Sequence, residues 1–230
     1  MSIAENIARV RAAIAEAARE AGRDPGEILL VGASKMNDAA ACRAAVAAGI
    51  DALGENRVQE MLSKLQDRAY DGAPLHFIGH LQRNKVKQVV GRVALIQSVG
   101  SLELLDEIEK TAAARELVQD ILLEVNVGGE AAKSGFAPGQ VYAAAEAALS
   151  RTHVRVRGLM TIPPADADRD ANMRYFQEVQ ALYVDINAKL FHNECEYLSM
   201  GMSGDYPDAI RAGATMVRVG TAIFGDRHYN

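Results

Sequence analysis

The stretch Ile28-Leu29-Leu30-Val31-Gly32-Ala33-Ser34-Lys35 is a run of apolar and small residues that ends in an amine. It does not alternate apolar with polar, so it reads as a strand buried on both faces, as a parallel sheet covered by helices requires. Strand-like stretches of similar character follow at 51–55, 75–80, 93–99, 120–127, 155–162, 196–200 and 215–220. Helical stretches lie between them, near 38–48, 56–70, 83–91, 102–116, 138–150, 170–191 and 205–212, and the last strand runs into a short turn or helix at 221–226. Eight strand-then-helix units in about 200 residues predict a (β/α)8 TIM barrel of the α/β class, with an open doubly wound sheet as the rival. An additional helix opens the chain. Ser2 and Glu5 are spaced for a capping box, and Ile3, Ile7, Val10 and Ile14 recur at helical spacing until Gly22 and Pro25 end the pattern.

The 230 residues are 49% hydrophobic and 24% charged, within the range of ordinary globular chains. No linker-like segment or shift in composition divides them, so one domain over 1–230 is expected. The formal net charge of −5 argues against a broad nucleic-acid surface. The basic stretch Arg83-Asn84-Lys85-Val86-Lys87 reads as a solvated helix start. Cys42 and Cys195 suit a reducing compartment and argue against a disulfide framework or a zinc cluster. The N-terminus lacks the order of a signal peptide and no apolar stretch is long enough to span a bilayer, so the expected location is the cytoplasm.

Lysines are usually solvated. One at the end of an apolar strand is held near low-dielectric material, which favours the neutral amine, and a neutral amine can attack an aldehyde. In a parallel barrel the strands' carboxyl ends form the functional face. The polar residues expected there are Lys35, Glu55 and Asn56, His80, Asn126, Thr161, Ser199 to Ser203, and Arg218 with Gly220 and Thr221. The loops after strands 7 and 8 often bind phosphate in such barrels. Here they offer Ser203, Gly220 and Thr221, so that backbone N–H groups and hydroxyls can approach an oxyanion. Arg218 sits in the apolar strand Thr215-Met216-Val217-Arg218-Val219-Gly220, where an unpaired guanidinium is costly. It either pairs with a barrel carboxylate such as Glu55 or meets a ligand. Amine, phosphate cradle and buried arginine on one face together suggest pyridoxal 5′-phosphate (PLP).

The stretches LVGASK (30–35), LGENRVQE (53–60), HFIGHLQRNKVK (76–87), EVNVGGEAAKSGF (124–136), VRGLMTIPP (156–164) and LSMGMSGDYPDAIRAGATMVRVGTAIFG (198–225) make the chain resemble the YggS/PROSC family of PLP homeostasis proteins over nearly its whole length. That family is similar to the N-terminal barrel domain of alanine racemases. The resemblance implies PLP held on Lys35 as an internal aldimine. It also implies phosphate at Ser203, Gly220 and Thr221, Arg218 at the pyridine nitrogen, and Asn56, His80 and Met200 lining the pocket. Met36-Asn37-Asp38 departs from the family's common Thr-Lys-Pro-like turn, and Asn37 or Asp38 is expected to cap the next helix instead. Glycine at position 32 stands where a small apolar residue is often seen.

Two functions compete: a PLP carrier in intracellular vitamin B6 and amino-acid homeostasis, and a PLP-dependent amino-acid racemase. The racemases take a second acid/base from an added C-terminal domain, for which a chain ending at Asn230 has no room. An arginine at the ring nitrogen also weakens the electron sink. A monomeric carrier without turnover is expected, handing PLP to PLP-dependent apo-enzymes, with no nucleic-acid or membrane partner. Lys133 reads as a solvated loop lysine, with a second, transient PLP site as its alternative. His76 and His80 share one side of a strand if the pleat continues, but too few ligands cluster for a metal. Met160 and Met202 could also line the pocket, with core packing as the commoner role. Cys42 is expected to be a buried small residue, and Asp205 to cap the helix that follows it.

Overall fold

The computed structural model describes residues 1–225, and its eight parallel strands close into a barrel in sequence order. The strands are β1 Leu29–Ala33, β2 Ala52–Glu55, β3 Leu75–Phe77, β4 Leu95–Val99, β5 Gln119–Val125, β6 Val154–Thr161, β7 Tyr197–Ser199 and β8 Met216–Val219. β8 pairs with β1, Val31 opposite Arg218, which excludes the open sheet. The helices are α1 Ile3–Glu20, α2 Ala39–Ala47, α3 Val58–Gln66, α4 Val86–Val89, α5 Leu102–Ala113, α6 Val141–Leu149, α7 Arg169–Leu190, α8 Tyr206–Arg211 and α9 Thr221–Phe224. Position 226, the end of the last expected segment, lies outside the described residues.

α1 forms as its pattern predicts. Ser2 and Glu5 complete the capping box, and Ile7, Val10 and Ile14 are buried. The helix lies outside the barrel against α8 and α9, with Asn6 donating to the Ile223 carbonyl at 2.8 Å.

Two apolar layers explain the side-chain register. Val31, Ala52, Leu95, Leu122, Met160 and Met216 pack together inside the barrel. Leu30, Leu53, Ile96, Ile121, Leu159 and Val217 belong to the larger layer under the helices. Successive strand residues point to opposite faces, so on β8 Met216 is inward, Val217 outward and Arg218 inward. The same alternation puts Ala52 inward and Glu55 outward on β2. These two assignments decide the chemistry of the site.

Candidate functional site

Lys35 lies two residues beyond the end of β1 and is half-buried. Met36 follows with φ of 63°, a left-handed conformation uncommon for a residue with a side chain. Asp38 accepts from the Ala41 backbone at 2.7 Å and caps α2, while Asn37 turns back to the Lys35 carbonyl at 3.1 Å. The departure from the family's turn therefore leaves the next helix capped.

A cavity of about 650 Å³ opens at the carboxyl ends of the strands, and Lys35, Asn56, His80 and Arg218 all line it. The Asn56 Oδ1 atom is buried without a hydrogen-bond partner among the described residues. Gly79 lies so close to Asn56 that a Cβ there would sit 2.3 Å from its carbonyl oxygen. His80 stands on the exposed rim and is shared with an adjoining cavity of about 540 Å³. β3 ends at Phe77, so His76 and His80 are not successive members of one pleat. His76 is buried instead, and burial pushes its pKa down to about 4, which leaves it neutral at pH 7.

Arg218 is 3% exposed. Of the two alternatives for Arg218, the ion pair with Glu55 is not formed, because the alternation that turns Arg218 inward turns Glu55 outward. Arg218 donates to Ser199 Oγ at 2.6 Å and to the Thr161 carbonyl at 2.8 Å. Burial lowers its pKa to about 10 against the opposing pull of Asp205 and Glu124, so it stays charged at neutral pH. A chain of hydrogen bonds continues beneath it. Ser199 Oγ donates to Gln97 Oε1 at 2.7 Å, and Gln97 Nε2 donates to His76 Nδ1 at 3.0 Å. Arginine can only donate, so the direction of each link follows, and the histidine proton belongs on Nε2.

Ser203 Oγ accepts from the backbone N–H of Gly220 at 3.1 Å and of Ala222 at 3.4 Å. Thr221 is the first residue of α9. The three residues expected to hold phosphate are thus gathered at one helix start, beside Met202 and Arg218 of the cavity wall. Met200, expected among the cofactor contacts, is fully buried in the outer apolar layer with Ala209 and Ile210. Met202 lines the cavity in its place. Met160 belongs to the inner packing layer. Asp205 occupies the N-cap position of α8 but bonds backwards, accepting from the Met202 N–H at 2.6 Å. Cys42 is buried.

Sequence reasoning missed Glu124, a 9% exposed carboxylate in the cavity wall. Burial raises its pKa, against the pull of the Ser134 hydroxyl, His80 and Arg218. Its place in the apolar strand Ile121-Leu122-Leu123-Glu124-Val125, two residues beyond the inward Leu122, was the available signal. Lys133 also lines the cavity. It pairs with Glu130 and reaches the Pro163 carbonyl at 3.4 Å, and it stays exposed, as a solvated loop lysine does. Among the described residues no cluster of His, Cys, Asp or Glu could hold a metal ion, and no helix is long and apolar enough to cross a membrane.

Residues 2–228 match the family model for the alanine racemase N-terminal domain. The pyridoxal phosphate homeostasis protein of Pseudomonas aeruginosa is 43% identical over 228 residues, covering 99% of this chain and 97% of that protein. The chain belongs to the YggS/PROSC family. PipY of Synechococcus elongatus PCC7942, solved with PLP bound, superposes with a TM-score of 0.84 at 30% identity and covers 97% of this chain and all of its own. Alanine racemase of Clostridium difficile 630 shares the fold, with a TM-score of 0.70 at 18% identity over 88% of this chain and 53% of its own.

Proposed function

We propose that this family member binds PLP in the strand-end cavity, covalently on Lys35, and acts as a carrier in intracellular vitamin B6 and amino-acid homeostasis without catalytic turnover. The observation that carries the reading is the meeting of Lys35, charged Arg218 and the partnerless Asn56 Oδ1 in one cavity, beside a cradle of backbone N–H groups. Each part matches a part of the cofactor. The Lys35 amine condenses with an aldehyde, forming a C=N bond and releasing water. The Gly220 and Ala222 N–H groups, now turned to Ser203 Oγ, suit a phosphate oxygen. Arg218 suits an unprotonated ring nitrogen, since a guanidinium does not give up its proton near neutral pH.

That last match weighs toward a carrier, though racemases also work with an arginine at the ring nitrogen, so turnover is decided by measurement. PLP supplies an aldehyde and an electron sink, and the sink is weaker when the ring nitrogen faces a cation rather than a carboxylate. The wild-type protein is expected to show a visible Schiff-base band that Lys35→Ala removes, and a band of full strength in Lys35→Ala refutes the attachment. Turnover is tested by α-proton exchange of L- and D-alanine in deuterated water. Exchange at enzyme-like rates, lost in Lys35→Ala, contradicts the carrier role and supports a racemase.

A further inference from the structure

The outward turn of Glu55 creates a buried charge cluster that the cofactor cavity does not contain. Lys64, on α3, is 5% exposed and uses its ammonium on Glu55 Oε1 at 2.7 Å, Glu60 Oε1 at 2.7 Å and the Ser34 carbonyl at 2.9 Å. Burial pulls the Lys64 pKa down, but the two carboxylates outweigh it and hold the amine charged. Glu55 also accepts from the Ser34 hydroxyl at 2.6 Å and the Tyr70 hydroxyl at 3.0 Å. Glu60 in turn accepts the backbone N–H of Met36.

The targets of these bonds are two successive peptide groups. The Ser34 carbonyl belongs to the peptide bond before Lys35, and the Met36 N–H to the one after it. Lys64 and Glu60, four residues apart on one face of α3, therefore grip the main chain on both sides of Lys35. Met36 has a positive φ, and the turn is also closed by the Asn37 N–H donating to the Ser34 carbonyl at 3.1 Å, so Glu60 adds a hold from α3 on a backbone conformation that side chains disfavour. A buried ion pair whose only task was to seat α3 on the barrel would have no need of these two groups.

We propose that Glu60 and Lys64 are positioning residues for the cofactor lysine, clamping the backbone at Ser34 and Met36 so that the Lys35 amine is presented to the cavity in one orientation. The proposal rests on the assignment of Lys35 as the PLP attachment site. Misplacing a reacting group by about an ångström can cost on the order of a hundredfold in rate. Loosening the clamp should therefore act on how fast PLP is captured and released, beyond any effect on folding.

The experiment measures PLP association and release by the visible band, and thermal unfolding of the PLP-free protein, for wild type, Glu60→Ala, Glu60→Gln and Tyr70→Phe. Glu60→Ala is chosen because that side chain is 21% exposed, so the variant should fold where a Lys64 variant risks unfolding. The expected result is capture slowed, and release quickened, about tenfold or more in Glu60→Ala. Glu60→Gln, which keeps an acceptor for the Met36 N–H, should recover most of the loss. Tyr70→Phe removes a bond to Glu55 that touches neither flanking peptide, so it should lower the melting temperature and leave both rates unchanged. A Glu60→Ala protein with wild-type rates overturns the clamp, as does a Tyr70→Phe protein whose rates fall as far. A wild type without a visible band refutes the PLP assignment itself, which separates the two failures.

Discussion

Replacing Ser199 by alanine should destabilise this barrel far beyond the loss of one hydroxyl. Ser199 is fully buried and, among the described residues, links the Arg218 guanidinium to the Gln97 carbonyl. Its removal leaves an ionised donor and a neutral acceptor without their partner, both in side chains at most 3% exposed. Each unsatisfied buried polar group costs about 1–3 kcal/mol, with charged groups at or above the top of that range. The expected loss is about 4–6 kcal/mol if both groups stay dry, falling to about 2 kcal/mol if a water occupies the vacated volume. A chain of this size loses about 2–4 °C of melting temperature per kcal/mol, so the midpoint should fall by at least about 4 °C. Urea unfolding of the PLP-free protein at pH 7 measures the free energy directly, with Ser150→Ala as the reference. Ser150 Oγ makes two exposed hydrogen bonds, donating to the Ala147 carbonyl and accepting from Arg151, and its replacement should stay within about 0.5 kcal/mol of wild type because water can take over both. If Ser199→Ala unfolds at the same urea concentration as Ser150→Ala, the directed chain from Arg218 to His76 does not exist in solution.

The same chain makes a pH prediction. His76 titrates at about 4 in the folded protein and near 6.5 when unfolded, so below pH 6.5 the unfolded chain binds the proton that the folded one refuses. Its contribution is present above pH 6.5 and is lost as pH falls toward 4, by about 3 kcal/mol in all. Glu124 works in the opposite sense, because its raised pKa favours the folded state as acid is added. Unfolding of His76→Asn alongside wild type isolates the histidine, and parallel pH profiles for the two proteins argue against a buried neutral imidazole. A third prediction concerns Gly79. Alanine there places Cβ 2.3 Å from the Asn56 carbonyl oxygen, a backbone atom that cannot swing away. Gly79→Ala should therefore distort the cavity wall and weaken PLP binding at least about tenfold by visible titration, and unchanged affinity would show that the wall yields at no cost.

The barrel was legible because both faces of each strand are buried, which writes continuous apolar runs rather than alternation. The ends were less so: β3 was expected to reach 80 and stops at Phe77, where Gly79 must pass close to Asn56. Lys35, Asn56, His80 and Arg218 were readable as a group because they lie at or just beyond the carboxyl ends of strands that share one face. The errors came from side-chain direction. Two-residue alternation, counted from Ala52 and from Met216, sends Glu55 outward and Arg218 inward, which forbids the ion pair that was one of the two alternatives for a guanidinium in an apolar strand. The same count from inward Ser199 directs Met200 into the outer layer and leaves the cavity to Met202. No local pattern could reveal the Gln97 contacts, since its partners Ser199 and His76 lie 102 and 21 residues away and meet only across the closed barrel. The grip of α3 on the Lys35 backbone was hidden for the same reason: Ser34 and Lys64 are 30 residues apart.

The central claim is that Lys35 carries the cofactor. Borohydride reduction of the PLP-loaded protein, followed by proteolysis and mass spectrometry, tests it most directly. The account predicts one pyridoxyl-phosphate adduct, on the peptide that contains Lys35 and absent from Lys35→Ala. An adduct found chiefly on another lysine, Lys133 above all, or none in a protein that binds PLP, would contradict it.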